Sequence, residues 1–304
     1  MFPPQSPFTH EIINLARVSF FILTLVCICV VGMLTVALMR YRSREGEAEP
    51  RQIAGNKRVE IVWTAIPLAI VILLFVLTGR TMSLSDPPPA PTPDLIVIGH
   101  QWWWEAQYPK SGVVTANEIH IPVGQPISIR LDSTDVLHEF WVAQLTRKMT
   151  AVPGHPNSIW LQADKPGSYL GLCSEFCGTQ HAWMRFVVIA ESPAEFAAWE
   201  KAQLLPSAPP KEELARHGEK LFEQHSCINC HSINGVKTGT QIGPDLTHFA
   251  TRKQFGAGIV DNTAANVSLW LHDPQRLKPG VLMPDFKLDD EEVTALTSFL
   301  ETLK

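Results

Sequence analysis

Positive charge is scarce in this chain. Lys and Arg number 25 against 30 Asp and Glu over 304 residues, for a formal net charge of −5. Residues 1–80 carry eight basic and five acidic side chains, residues 81–210 seven and twelve, and residues 211–304 ten and thirteen. No basic patch is left over to neutralise phosphates, so nucleic acid is excluded as a partner. A collagen-like or disordered composition is also lacking. Cysteine is limited to six residues in three close pairs: Cys27 and Cys29, Cys173 and Cys177, Cys227 and Cys230. Such pairs suggest disulfides in an exported protein, but here each pair has its own context. The length allows two or more domains.

Two stretches lack charge altogether, residues 18–39 and 61–79. A spanning helix needs about 20 apolar residues, and both qualify. The first is long, lacks a basic n-region and has no small-residue cleavage site after it, which argues against a signal peptide. Between them lie Arg40, Arg42, Arg44, Arg51, Lys57 and Arg58, whereas the outer flanks hold only Arg17 and Arg80 before Lys110. Positive charge marks the cytoplasmic side, so residues 1–80 are expected to form a transmembrane hairpin with both termini outside. Cys27 and Cys29 fall inside the first span and are expected to act as small apolar fillers. Glu60 opens the second span and has two readings. It is a carboxylate favoured by a helix N-terminus, or a candidate proton-uptake group, as ionisable residues at membrane depth often are.

Residues 86–93 are proline-rich, a stiff extended linker. Short β-branched or alternating runs follow at 95–98, 118–123, 127–131, 136–143, 158–161 and 185–190, separated by turn signals. That spacing predicts a sandwich or barrel over residues 81–205, closed by an amphipathic helix near 193–204. Within twelve residues lie Cys173, Cys177, His181 and Met184, with His138 upstream. Thiolate, imidazole and thioether together select copper over hard cations. Two Cys and two His suffice for two coppers bridged by both thiolates. A Cys-x3-Cys disulfide and a Cys2His2 zinc site remain open, although zinc gives no role to Met184 and a disulfide none to the histidines.

This motif, with Asp135 and His138 upstream, resembles the CuA site of cytochrome c oxidase subunit II. The resemblance implies a cupredoxin-like fold and six copper ligands: His138, Cys173, Glu175 through its backbone carbonyl, Cys177, His181 and Met184. It further implies that the Glu175 side chain reaches a magnesium ion at the contact with subunit I. The run Trp102, Trp103, Trp104 is similar to the family's aromatic stretch, in which Trp102 matches the residue where electrons arrive from cytochrome c. Packing alone also accounts for such tryptophans. Glu60 with Trp63, Thr64 and Pro67 resembles the family's second helix, where the acid stands at the mouth of a proton path. One stretch departs: Thr150 replaces the usual acid and His155 the usual Arg, so hydrogen bonding around the magnesium and the acceptor haem is expected to differ.

Residues 205–211 read as a second proline-rich linker at the start of residues 206–304, and the ~95 residues after it suit one small helical domain. Cys227, Cys230 and His231 form the c-type haem attachment signature. Met283, followed by proline, is the expected second iron ligand, since Met/His ligation raises a haem's potential. Pro244 is placed to accept the other imidazole N–H through its carbonyl. Helices are predicted at 212–224, 263–272 and 289–303. The domain resembles class I cytochrome c throughout, an all-α fold.

Taken whole, the chain resembles subunit II of caa3-type oxidases. The resemblance implies electron flow from haem c to CuA, then to haem a and an oxygen-reducing site in subunit I, coupled to proton pumping. It implies subunits I and III and a cytochrome c or other donor as partners. It places the chain in a bacterial plasma membrane, with the metal domains on the outer side. Three other readings share fewer features. Some nitric oxide reductases have a similar subunit, and only the Glu60 motif speaks against them. A copper-delivery protein would be thioredoxin-like, without Met184 or a haem domain. Quinol oxidase subunit II lacks these copper ligands.

Overall fold

The computed structural model describes residues 3–42, 46, 52, 55–236 and 242–304. Arg44 and Arg51 of the basic loop lie outside the described residues. Residues His10–Pro87 form one compact unit, and the remainder of the chain forms a second.

The first unit is built from α1 (Pro7–Arg40) and α2 (Lys57–Ser85). At 34 and 29 residues they run about 51 and 43 Å, well beyond the ~30 Å of a bilayer's hydrocarbon core. Both helices start and end outside the apolar runs that announced them. Asn56 caps α2 by accepting from the backbone N–H groups of Arg58 and Val59, and Glu60 stands in the first turn, where the dipole favours a carboxylate. Cys27 and Cys29 are exposed free thiols on α1.

The second unit begins with ten strands. They are β1 (Leu95–His100), β2 (Trp103–Tyr108), β3 (Val113–Ala116), β4 (Glu118–Pro122), β5 (Ile127–Ser133), β6 (His138–Trp141), β7 (Met149–Ala151), β8 (Asn157–Leu161), β9 (Gly167–Cys173) and β10 (Arg185–Glu191). They form two five-stranded sheets in the orders β3-β2-β1-β5-β8 and β4-β10-β9-β6-β7. Each sheet has one parallel pair, β1 with β5 and β10 with β4. Alternation sets the faces: Leu95 and Val97 point inward from β1, and Phe186, Val188 and Ala190 from β10. Between the sheets Trp104 meets Phe186 and Phe140 edge-on, at 5.5 and 5.9 Å between ring centres.

Helix α3 (Pro193–Gln203) closes the sandwich as expected. Ser192 and Glu195 form a reciprocal capping box at its start, and Trp199 stacks on His120 at 4.0 Å. Strands β2, β3, β7 and β9 were not legible as strands. In β9 glycines interrupt the hydrophobic pattern, and one of them, Gly171, is required: a Cβ there would collide with the Phe186 ring.

The chain continues through α4 (Glu213–Gln224), β11 (Gln254–Phe255), β12 (Val260–Asp261), α5 (Ala264–His272), α6 (Pro274–Leu277) and α7 (Asp290–Leu300). Helices α4 and α7 cross closely at Gly218, where a side chain would strike the Ala295 carbonyl. Asp289 and Glu292 cap α7 reciprocally. The small β11–β12 hairpin is an addition to an otherwise helical domain.

Candidate functional site: two cofactor cavities sharing a wall

The strand ends bring the sulfur and nitrogen donors together. His138 opens β6, Cys173 ends β9, and the register Phe140↔Cys173 sets those strands side by side. The loop from Cys173 to β10 then folds Cys177, His181 and Met184 back over them. The two sulfurs lie 3.8 Å apart. That is far beyond the ~2.05 Å of a disulfide, yet one metal ion reaches both with ordinary thiolate bonds of ~2.3 Å. Each sulfur has an imidazole nitrogen nearby: Nδ1 of His138 is 3.9 Å from Cys173 Sγ, and Nδ1 of His181 is 3.7 Å from Cys177 Sγ. Each also has a weak donor nearby: the Glu175 carbonyl oxygen at 3.3 Å from Cys173 and the Met184 sulfur at 3.8 Å from Cys177. Six donors divided in this way fit two soft ions sharing both sulfurs. A single tetrahedral zinc would leave the buried Met184 without a role.

The surrounding hydrogen bonds aim these donors. The Asp135 carboxylate lies 2.8 Å from Nε2 of His138, which turns Nδ1 toward the sulfurs. Asp135 also accepts from the backbone N–H groups of Gln101 and Val136. Burial alone would raise the Asp135 pKa, but the hydrogen bond from His138 and those from the backbone hold it below the usual carboxylate range. The hydrogen bond between the thiols dominates both, lowering Cys173 and raising Cys177. Gly99 makes room for the His138 ring, which an added Cβ would strike. Asp135 and Gln101 are outer supports that carried no role in the sequence reading.

In the second cavity, Cys227, Cys230, His231 and Met283 line one apolar space. Ser226 adopts a left-handed conformation and swings the chain out of α4 into the Cys-x2-Cys-His turn, where the His231 N–H bonds the Cys227 carbonyl. The His231 ring donates from Nδ1 to the Pro244 carbonyl at 2.8 Å, which leaves the Nε2 lone pair for a metal. Burial pushes the His231 pKa down, favouring the neutral, ligating form. Gly243 lies against this ring with no space for a Cβ. Trp270 donates its indole N–H to the Met283 sulfur at 3.1 Å. Thiols for covalent attachment, a neutral His with a fixed tautomer and an oriented thioether fit a haem c.

The soft-donor cluster and this cavity share a wall. Trp102 and Trp103 line the second cavity, and the Trp102 indole donates to the Cys177 carbonyl at 2.8 Å. Gln101 donates its side-chain N–H to that same carbonyl at 2.7 Å. Trp103 donates to the Ile242 carbonyl of the helical domain at 3.2 Å and stacks on His100 at 4.2 Å. Trp104 is core. Of the remaining predicted residues, the Glu175 side chain is exposed beside Phe176, which is 76% exposed. Thr150 lies opposite Glu139 on neighbouring strands, and His155 is exposed in a turn.

Soft-metal donors and a haem cavity side by side, on a chain with two membrane-length helices, define a membrane-bound electron carrier. Comparison with known proteins agrees. Residues 1–78 match the family described as "Cytochrome C oxidase subunit II, transmembrane domain", residues 111–191 its "periplasmic domain", and residues 215–304 "Cytochrome c". The chain is 38% identical over 310 residues to cytochrome c oxidase subunit 2 of Alkalihalophilus pseudofirmus, covering 99% of this chain and 90% of that protein. It is 34% identical over 284 residues to the Bacillus subtilis protein of the same name, covering 86% and 80%. Quinol oxidase subunit 2 of Bacillus cereus is 33% identical over 205 residues, covering 65% and 70%. The chain belongs to the cytochrome c oxidase subunit 2 family, in the form that carries a cytochrome c domain. It is a membrane protein with a periplasmic domain, an electron-transfer subunit of a haem–copper oxidase and hence a partner of subunit I. The family implies CuA in the sandwich and haem c in the helical domain.

Proposed function

We propose that this chain takes electrons at its haem c, passes them through the shared wall to CuA, and delivers them to haem a of subunit I for reduction of O2 to water coupled to proton pumping. When bound, the two centres supply reversible one-electron chemistry, and the protein sets distance, orientation and potential. The observation that carries the reading is Trp102, which lines the haem cavity and hydrogen-bonds the carbonyl of Cys177. His138, Cys173, Glu175, Cys177, His181 and Met184 hold copper. Cys227 and Cys230 attach the haem, and His231 and Met283 ligate its iron, with Pro244 orienting His231.

The division of labour follows residues 1–80 as anchor, 81–205 as copper domain and 206–304 as haem domain. The exposed Glu175–Phe176 tip suits contact with subunit I, where the Glu175 carboxylate would bind magnesium. Glu60 would stand at a proton-uptake path. Subunit III and an external cytochrome c or other donor complete the assembly, in a bacterial plasma membrane with both termini and the metal domains outside.

Trp102→Ala in the purified oxidase tests the path. Stopped-flow transfer from reduced haem c to copper is expected to slow while both metals remain at full occupancy. An unchanged rate would place the path elsewhere.

A further inference from the structure

Two cations are buried at the haem cavity, and they differ in their partners. Arg252 donates to the Asp245 carbonyl at 2.6 Å and feels the charges of Asp245 and Glu118. Lys278 is 2% exposed. Its ammonium donates to the Gly256 carbonyl of the haem domain at 3.0 Å and to the Trp102 carbonyl of the copper domain at 3.3 Å. An ammonium has three donors, so one N–H remains. Among the described residues no carboxylate supports the charge. Burial lowers the Lys278 pKa to about 7, and only the more distant Cys177 acts in the other direction. A buried cation without a counter-anion is costly, so a folded chain keeps one at a cavity wall where the cavity's occupant supplies the anion. A haem brings two carboxylates.

We propose that Lys278 is the counter-cation for a carboxylate of the haem, and that the same ammonium ties this carboxylate to the Trp102 main chain of the copper domain. The proposal rests on haem c occupying this cavity. Lys278 is then a positioning residue. It neutralises one side of the haem, favouring the reduced iron, and fixes the haem's carboxylate edge against the β1–β2 turn, whose Gln101 and Trp102 hydrogen-bond the copper site.

The test uses the full haem-loaded chain, its Lys278→Met variant and its Lys278→Arg variant. Iron and haem content come first, because a parent without haem would defeat the haem reading rather than this one. Redox-difference infrared spectra then report the haem carboxylates, and a redox titration reports the haem potential. In Lys278→Met the carboxylate bands are expected to shift and the potential to fall. In Lys278→Arg, which keeps the charge, the bands are expected to stay near their parental positions. Carboxylate bands unchanged in Lys278→Met would overturn the proposal even if the potential moves, since a buried charge acts on the iron without touching the carboxylate. If Lys278→Met does not retain haem, Lys278→Gln carries the same comparison, keeping a donor without the charge.

Discussion

Cys177→Ser is expected to remove the copper pair and leave the haem in place. Cys177 Sγ has three other donors within 3.8 Å, namely Cys173 Sγ, His181 Nδ1 and Met184 Sδ. A serine oxygen is a hard, weakly acidic donor where the site offers soft ones, and it cannot bridge as a thiolate does. The loss should exceed the roughly 10–100-fold that removal of an outer-shell partner costs a metal site. Nothing comparable reaches Cys227, Cys230 or His231, so iron content should stay at the parental level. Metal analysis of the purified variant checks both halves. Copper binding that survives intact would contradict bridging by Cys177.

Met283→Ala should act on the other cavity in the opposite manner, with the cofactor retained and its properties changed. The thioethers of Cys227 and Cys230 and the His231 ligand are untouched, so the haem stays attached. The iron loses a ligand that stabilises its reduced form, and the potential should fall by on the order of 100 mV. Trp270, which donates to the Met283 sulfur in the parent, loses its acceptor. A redox titration with absorption spectra checks this. An unchanged potential and spectrum would refute ligation by Met283.

Much of this arrangement was legible in the sequence because its key parts are local. The copper loop packs four donors into twelve residues, and the haem turn packs three into five. Both long helices were announced by charge-free runs, α3 by its amphipathic pattern and α7 by its acidic first turn, Asp289 to Glu292. His138 was a weaker signal: it lies in a strand 35 residues before Cys173, it entered the donor count as a histidine upstream, and the family resemblance gave it its place as a ligand.

What stayed hidden depends on contacts between distant segments. Strand β9 lacks a continuous apolar pattern because Gly171 must yield to Phe186. The part played by Asp135 appears only when β6 turns His138 toward the sulfurs. Lys278 reads as an ordinary surface lysine until the fold buries it against Trp102, 176 residues away. Glu60 keeps both of its readings. Its place in the first turn of α2 satisfies the dipole argument, and a proton path needs the partner subunit.

On this reading one chain carries a copper pair and a haem c with a shared wall between them. Its most direct test is the copper, zinc and iron content of the purified full-length chain, together with its electron paramagnetic resonance spectrum. Two coppers are expected for each haem iron, with hyperfine structure from one unpaired electron shared by both coppers. A single zinc, or a Cys173–Cys177 disulfide with no copper, would contradict it and leave a membrane-tethered cytochrome c.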